Sequence, residues 1–178
     1  PIFRRLLSAF TIYCALSFQA QAQRSLHSYI DPFIGTGGHG HTFPGATTPF
    51  GMVQLSPDTR IDGSWDGCSG YHYSDSIIYG FSHTHLSGTG VSDYGDMHFM
   101  PVQRARAFVP EQYRSKFSHQ NEMASAGYYR VTLDNQIRVE LTATKRAGMQ
   151  RISFPDARQY LSIDLSHRDA LLSHQITV

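Results

Sequence analysis

Two runs in the second half of the chain, Tyr128 to Leu133 (YYRVTL) and Ile137 to Thr142 (IRVELT), alternate apolar and polar residues with a period of two. That period puts Ile137, Val139 and Leu141 on one face of a strand and Arg138, Glu140 and Thr142 on the other. Asp134-Asn135-Gln136 lies between the runs and supplies a hairpin turn. Gln150 to Phe154 and Tyr160 to Leu165 predict two more strands, parted by a turn that begins at Pro155-Asp156. Upstream, Phe50 to Ser56 reads as a strand closed by Pro57-Asp58, Ile77 to Phe81 as a short β-type run, and Met97 to Val102 as a strand near a sheet edge at Pro101. Ser28 to Ile34 predicts a short edge strand or extended entry, broken at Asp31-Pro32. Phe117 to Ala124 predicts a loop or one helical turn leading into the hairpin. No long helical period runs through the chain. Short strands with turns between them describe an all-β fold, an antiparallel β-sandwich.

Glycine divides the chain. Thirteen of its fifteen glycines fall between Gly35 and Gly95, so a loop-rich first half precedes a regular second half. At the N-terminus, Arg4 and Arg5 stand before an apolar run from Leu6 to Phe18, and Ala20-Gln21-Ala22 follows. This is the pattern of a cleavable signal peptide over residues 1–22, and it predicts a secreted or periplasmic domain over 23–178 with no membrane anchor. Hydrophobic residues are 40% and charged residues 16%, a globular balance. The net charge of +1 and the absence of a Lys/Arg stripe argue against a nucleic-acid partner. Beyond the signal a single cysteine remains, Cys68, which can form no internal disulfide and reads as a packed residue in a glycine-flanked turn.

The chemistry concentrates between Trp65 and Asp96. His72, His83, His85, Asp66, Asp75, Asp93 and Asp96 sit there among glycines and serines, beside the only tryptophan, Trp65. Buried polar groups need partners, so such a mixture calls for a reason. Two pairs, His39/His41 and His83/His85, have the i, i+2 spacing of some metal sites. Each pair lacks an identified third ligand and lies in a loop, where that spacing loses its geometric meaning. Hydrogen bonding to a hydroxyl-rich ligand fits these side chains better, and no metal ligand is assigned. Gly35-Thr36-Gly37-Gly38 is not a phosphate cradle, since no strand-to-helix frame and no G-K-[ST] accompany it. Glycoside hydrolysis needs two carboxyl groups, one protonated and one ionised. The aspartates here sit in turns that they cap, and no glutamate occurs between Gly35 and Pro110, so no catalytic residue is assigned to this chain. Trp65 beside Asp66-Gly67 can either offer its face to a sugar or pack into the core.

Several long segments, in order, carry a resemblance. YIDPFIGTGGHGHTFPGATTPFGMVQLSPDT, GCSGYHYSD, GFSHTHLSGTG, DYGD, SHQNEMASAGYYRVTL and ELTATKRAGMQRISFP resemble the N-terminal domain of glycoside hydrolase family 92, from about Tyr29 to the C-terminus. The resemblance implies a calcium-dependent, inverting exo-α-mannosidase built from an N-terminal β-sandwich and a larger (α/α)6-barrel, with the active site between them. It implies that the catalytic acid and base and most calcium ligands belong to the barrel, so calcium serves the full-length enzyme and none is expected for this chain. The partners it implies are α-mannoside glycans and the barrel domain. Trp65 matches the family's tryptophan expected to contact the sugar beyond the cleaved bond; Asp66, His83, His85 and Asp93 fall in similar pocket-lining loops. The expectation is therefore a substrate-pocket domain, inactive alone. A free-standing carbohydrate-binding sandwich and a metal-dependent β-barrel enzyme using His83 and His85 are the alternatives.

Overall fold

A computed structural model describes residues 26–178 except Arg106, Asp169, Ile176 and Val178. The signal-peptide reading lies outside the described residues. No helix among those described is long and apolar enough to cross a membrane.

The fold is two antiparallel five-stranded sheets. One has the order β1 (Ala46–Thr47), β2 (Gln54–Asp58), β4 (Gly80–Ser82), β5 (His98–Val102), β10 (Tyr160–Asp164). The other runs β3 (Ile77–Ile78), β6 (Ser115–Ser125), β7 (Tyr128–Leu133), β8 (Arg138–Ala143), β9 (Gly148–Ser153). The β7–β8 hairpin forms where the alternation places it, with Val131 opposite Val139 and Tyr129 opposite Leu141. Tyr129, Val131, Leu133, Ile137, Val139 and Leu141 are all buried. They meet Ala46, Leu55, Phe81, Met100 and Val102 from the first sheet in one core. Burial of such side chains, at roughly 1.5–3 kcal/mol each, is the main stabilising term.

Four local expectations need correction. Phe117 to Ala124 is no loop: it lies inside β6, the longest strand, whose register against β7 shifts between Phe117 and Glu122. The bulge interrupts the period-two pattern, and the strand points a carboxylate inward at Glu122, so the run does not read as a strand. The strand placed at Phe50 to Ser56 lies further on, at Gln54–Asp58, with Pro57 inside it. Proline is tolerated there because β1 pairs only with Gln54 and Leu55, leaving one side of Pro57 without a strand neighbour. Ser28 to Ile34 is not a strand but a 3-10 turn, Leu26–Tyr29, followed by a turn in which the Asp31 carboxylate accepts the Phe33 amide at 2.9 Å. The run Ile77 to Phe81 splits between the sheets: β3 pairs with β6, and β4 pairs with β2 and β5.

Candidate functional site

Three loops converge on Trp65. The first is the glycine-rich loop before β1. Gly40 packs so tightly on the backbone of Gly35 that a Cβ there would lie 2.1 Å from the Gly35 carbonyl oxygen, so only glycine fits. The loop is pinned from outside as well: the Tyr73 amide donates to the Thr36 carbonyl at 2.8 Å, and the His72 ring meets the Gly38 carbonyl at 3.2 Å. The second loop carries the short 3-10 turn Trp65–Gly67, entered through an Asp62 cap on the Ser64 amide at 3.0 Å. The third, after His85, reaches over to donate the Gly88 amide to the His41 carbonyl at 2.6 Å. It brings Gly90, at φ +70°, so close to the indole nitrogen that a Cβ would meet it at 2.8 Å.

The result is an exposed aromatic–imidazole–carboxylate group. Trp65 is 57% exposed, so it does not pack into the core. Its ring meets His41 edge-on, with centroids 4.3 Å apart and planes at 86°, and His39 at 5.1 Å and 43°. Asp66 accepts from His39 Nδ1 at 2.5 Å, and His41 Nε2 stands 3.9 Å from the same oxygen. The hydrogen bond from His39 comes first among the causes that hold the Asp66 carboxyl below the usual carboxylate range. His41 is buried, in the left-handed backbone region at φ 54°, and its Nε2 has no hydrogen-bond partner.

The other predicted site residues take different positions. His83 is half-buried; its Nδ1 lies 3.1 Å from the Met97 carbonyl and its ring packs on Phe99. Asp93 is exposed, and its carboxylate accepts the next amide, that of Tyr94, at 2.8 Å. His85 is only 4% exposed and faces inward: its Nδ1 lies 2.8 Å from the Gln54 carbonyl and its Nε2 3.0 Å from Asp58. His83 and His85 thus turn to different partners, and no metal-ligand group among the described residues contains either. Cys68 is free and buried.

Asp58 is the residue that sequence reasoning misses. Pro57-Asp58 reads as a turn, yet Asp58 is fully buried in β2. It receives the Ser82 amide at 3.1 Å, the Ser82 hydroxyl and His85, with His167 Nε2 3.8 Å away. Burial alone pushes its carboxyl up, but His85 and His167 more than offset this and hold it well below the usual range. His98 completes the cluster, stacked on His167 with centroids 3.9 Å apart, and burial lowers its pKa to about 4. The signal for this cluster is faint: a histidine at an inward position of β5 in an otherwise apolar strand.

The described residues offer two groups of metal-ligand type, His39–His41–Asp66 and Asp58–His98–His167. Each holds one carboxylate and two imidazoles. Ca²⁺ takes roughly six to eight oxygens, so neither group fits it.

The pattern described as "Glycosyl hydrolase family 92 N-terminal domain" matches residues 29–178. A protein of Arthroderma benhamiae named "Uncharacterized secreted glycosidase" is 32% identical over 144 residues, which is 76% of this chain and 18% of that protein. A family GH92 alpha-mannosidase from Bacteroides thetaiotaomicron, solved in complex with mannoimidazole, is 42% identical with a TM-score of 0.76, covering 80% of this chain and 20% of its own. A family GH92 inverting mannosidase from Bacteroides thetaiotaomicron VPI-5482 is 32% identical with a TM-score of 0.70, covering 82% and 20%. The chain therefore spans about a fifth of the length of these relatives.

Proposed function

The chain belongs to glycoside hydrolase family 92 through its N-terminal domain, and on that premise we propose that it forms one wall of the α-mannoside cleft of a secreted, inverting mannosidase. In this reading Trp65 offers its exposed face to the C–H surface of a sugar, and Asp66 accepts hydrogen bonds from sugar hydroxyls. His83 and Asp93 line the flanking loops. His85 acts from behind as a positioning residue, because it is buried against Asp58 and cannot reach a ligand directly. The observation that carries the reading is the exposure of Trp65 inside a group of loops held by close backbone contacts. A rigid aromatic face needs little ordering on binding, which favours a carbohydrate platform.

The proton transfers are assigned to polypeptide beyond this domain. Inverting hydrolysis needs an acid on one side of the bond and a base-activated water on the other, at a carboxyl separation of about 6.5–9.5 Å. The carboxylate set against Trp65 is Asp66, which accepts from His39, is held below the usual range and is poorly suited to donate a proton; Asp62, at the entry to the same turn, is held low as well by the Ser64 amide. Calcium, if the enzyme uses it, is held elsewhere than by the two imidazole-rich groups of this chain.

The purified chain is expected to release no mannose from an α-mannoside; measurable hydrolysis would overturn the division of labour. In an enzyme that carries this domain together with the rest of the family's length, Trp65→Ala should lower kcat/KM for α-mannosides roughly 10–100-fold, the loss of about 1.4–2.8 kcal/mol of binding. Tight mannobiose binding by the chain alone would instead favour a self-sufficient carbohydrate-binding module.

A further inference from the structure

We propose that His39, His41 and Asp66 form a binding site for a divalent transition-metal ion of the Zn²⁺ type, set against the indole of Trp65. One ligand atom from each residue lies within 4.8 Å of the other two. Zn²⁺ binds imidazole nitrogen and carboxylate oxygen at about 2.0–2.2 Å, so side-chain shifts of about 1 Å would close the triad on an ion. Imidazole with carboxylate is a donor set for Zn²⁺ or Cu²⁺ and not for Ca²⁺.

The atom that points to an ion is Nε2 of His41. The His41 side chain is 7% exposed, and this nitrogen has no hydrogen-bond partner although it faces Asp66 at 3.9 Å. An unpaired buried polar atom costs about 1–3 kcal/mol. A cation held between His41 and Asp66 removes that cost. The residue is fixed for the task by the Gly88 amide on its carbonyl and by the edge of Trp65 on its ring. His39 is different: its side chain is 72% exposed, and by parting from Asp66 it can admit the ion and close over it. Three protein ligands leave one tetrahedral position for water or a hydroxyl of a bound molecule.

The second imidazole-rich group also has unpaired buried nitrogens, His98 Nε2 and His167 Nε2, but its geometry does not converge on an ion. The rings of His98 and His167 are stacked at 3.9 Å with planes 15° apart. Imidazole lone pairs lie in the ring plane, so stacked rings aim side by side and not at one ion. Asp58 there is already taken by Ser82 and His85. The inference does not rest on the mannoside reading, because a chain that binds no sugar can still bind the ion.

The chain has one tryptophan, so its emission reports on this site alone. Chelator-stripped chain titrated with Zn²⁺ near neutral pH is expected to take one equivalent by calorimetry. Trp65 emission should change over the same concentration range, and Ca²⁺ should leave it unchanged. His39→Ala and Asp66→Asn should each weaken Zn²⁺ binding at least about tenfold, with far-ultraviolet circular dichroism unaltered. His174→Gln, at an exposed histidine outside the triad, should leave the affinity unchanged. The proposal is overturned by any of three results: no stoichiometric uptake at millimolar Zn²⁺, uptake that survives both triad variants without moving Trp65 emission, or Ca²⁺ binding of equal strength.

Discussion

The two sheets of this domain bury different kinds of interior. In the second sheet, β7 and β8 turn Tyr129, Val131, Leu133, Val139 and Leu141 inward, while on the outer face Arg138 and Thr142 are exposed, Tyr128, Arg130 and Thr132 half-buried, and Glu140 buried. In the first sheet, β2 is buried from Leu55 through Asp58 and β4 over its whole length, so both of their faces are covered. One face meets the apolar core. The other carries Asp58, Gly80 and Ser82, with His85 and His98 packed against it. The apolar sheet can be rebuilt with any side chains of the right volume and pattern. The polar face is particular: each group is set by its neighbours, and the loops that build the Trp65 site are anchored beside it. Scaffold and site are thus divided between the sheets.

Glu122 couples them through buried hydrogen bonds, and removing it should give the largest effect. It sits on β6 in the second sheet with a side chain only 1% exposed. It accepts from Tyr129 at 2.6 Å within that sheet, from Tyr71 of the loop-rich half at 2.8 Å, and binds His119, which stacks on Tyr73. Glu122→Ala leaves two buried tyrosine hydroxyls unpaired, at about 1–3 kcal/mol each. We expect a loss of roughly 3–5 kcal/mol in denaturant unfolding, with Glu122→Gln losing less. A loss below about 1 kcal/mol in the alanine variant would mean the halves are held by apolar packing and by their other links, such as the Thr48 hydroxyl on the Ala143 carbonyl and the Met52 amide on the Lys145 carbonyl.

The polar face should also respond to acid, and the apolar face should not. His98 has a pKa of about 4 in the fold against an ordinary value of 6.5, chiefly because burial disfavours its charged form. Between those values the unfolded chain takes up a proton that the folded chain refuses, so stability falls as pH drops from about 6.5 towards 4. The full effect is about 3 kcal/mol. The depressed pKa of Asp58 acts in the same direction but at lower pH, since its stabilisation is lost only as pH falls below the usual carboxylate range. His98→Leu, which keeps the ring's place over Gly80 filled with apolar volume, should flatten the slope between pH 6.5 and 4 measured by urea unfolding. An unchanged slope would locate the acid sensitivity elsewhere.

This division explains what could be read in advance. The hairpin from Tyr128 to Ala143 is legible because one face is wet and the other dry, which writes a period of two into the sequence. β2 is displaced in the reading because both its faces are covered, so the alternation is absent and Pro57-Asp58 looks like a turn. β6 is missed because Glu122 occupies an inward position and a bulge breaks the period. For the site, Trp65 and Asp66 are legible as an unusual pair in a glycine-rich stretch. That His39 and His41 join them is not, since the contact spans about 25 residues and depends on Gly35, Gly40 and Gly90 packing at distances that no spacing rule encodes. His85 looks like a pocket residue by its neighbours in sequence and becomes a buried one because its ring turns towards Asp58.

The smallest expected effect on stability is at the residue with the largest expected role. Trp65 is more than half exposed, and its ring contacts are the imidazoles of His39 and His41. Truncating a core tryptophan costs about 3–5 kcal/mol, whereas surface substitutions stay near ±0.5 kcal/mol. Trp65→Ala should therefore cost less than about 1 kcal/mol in the same urea experiment, within a fold whose circular dichroism is unchanged. Measured beside Glu122→Ala, it separates the two regions directly: a large loss at the carboxylate and a small one at the indole would leave Trp65 free for the binding role proposed for it. A loss of 3 kcal/mol or more from Trp65→Ala would show the indole to be a structural member of the loops, and the division between scaffold and site would fail at its most exposed point.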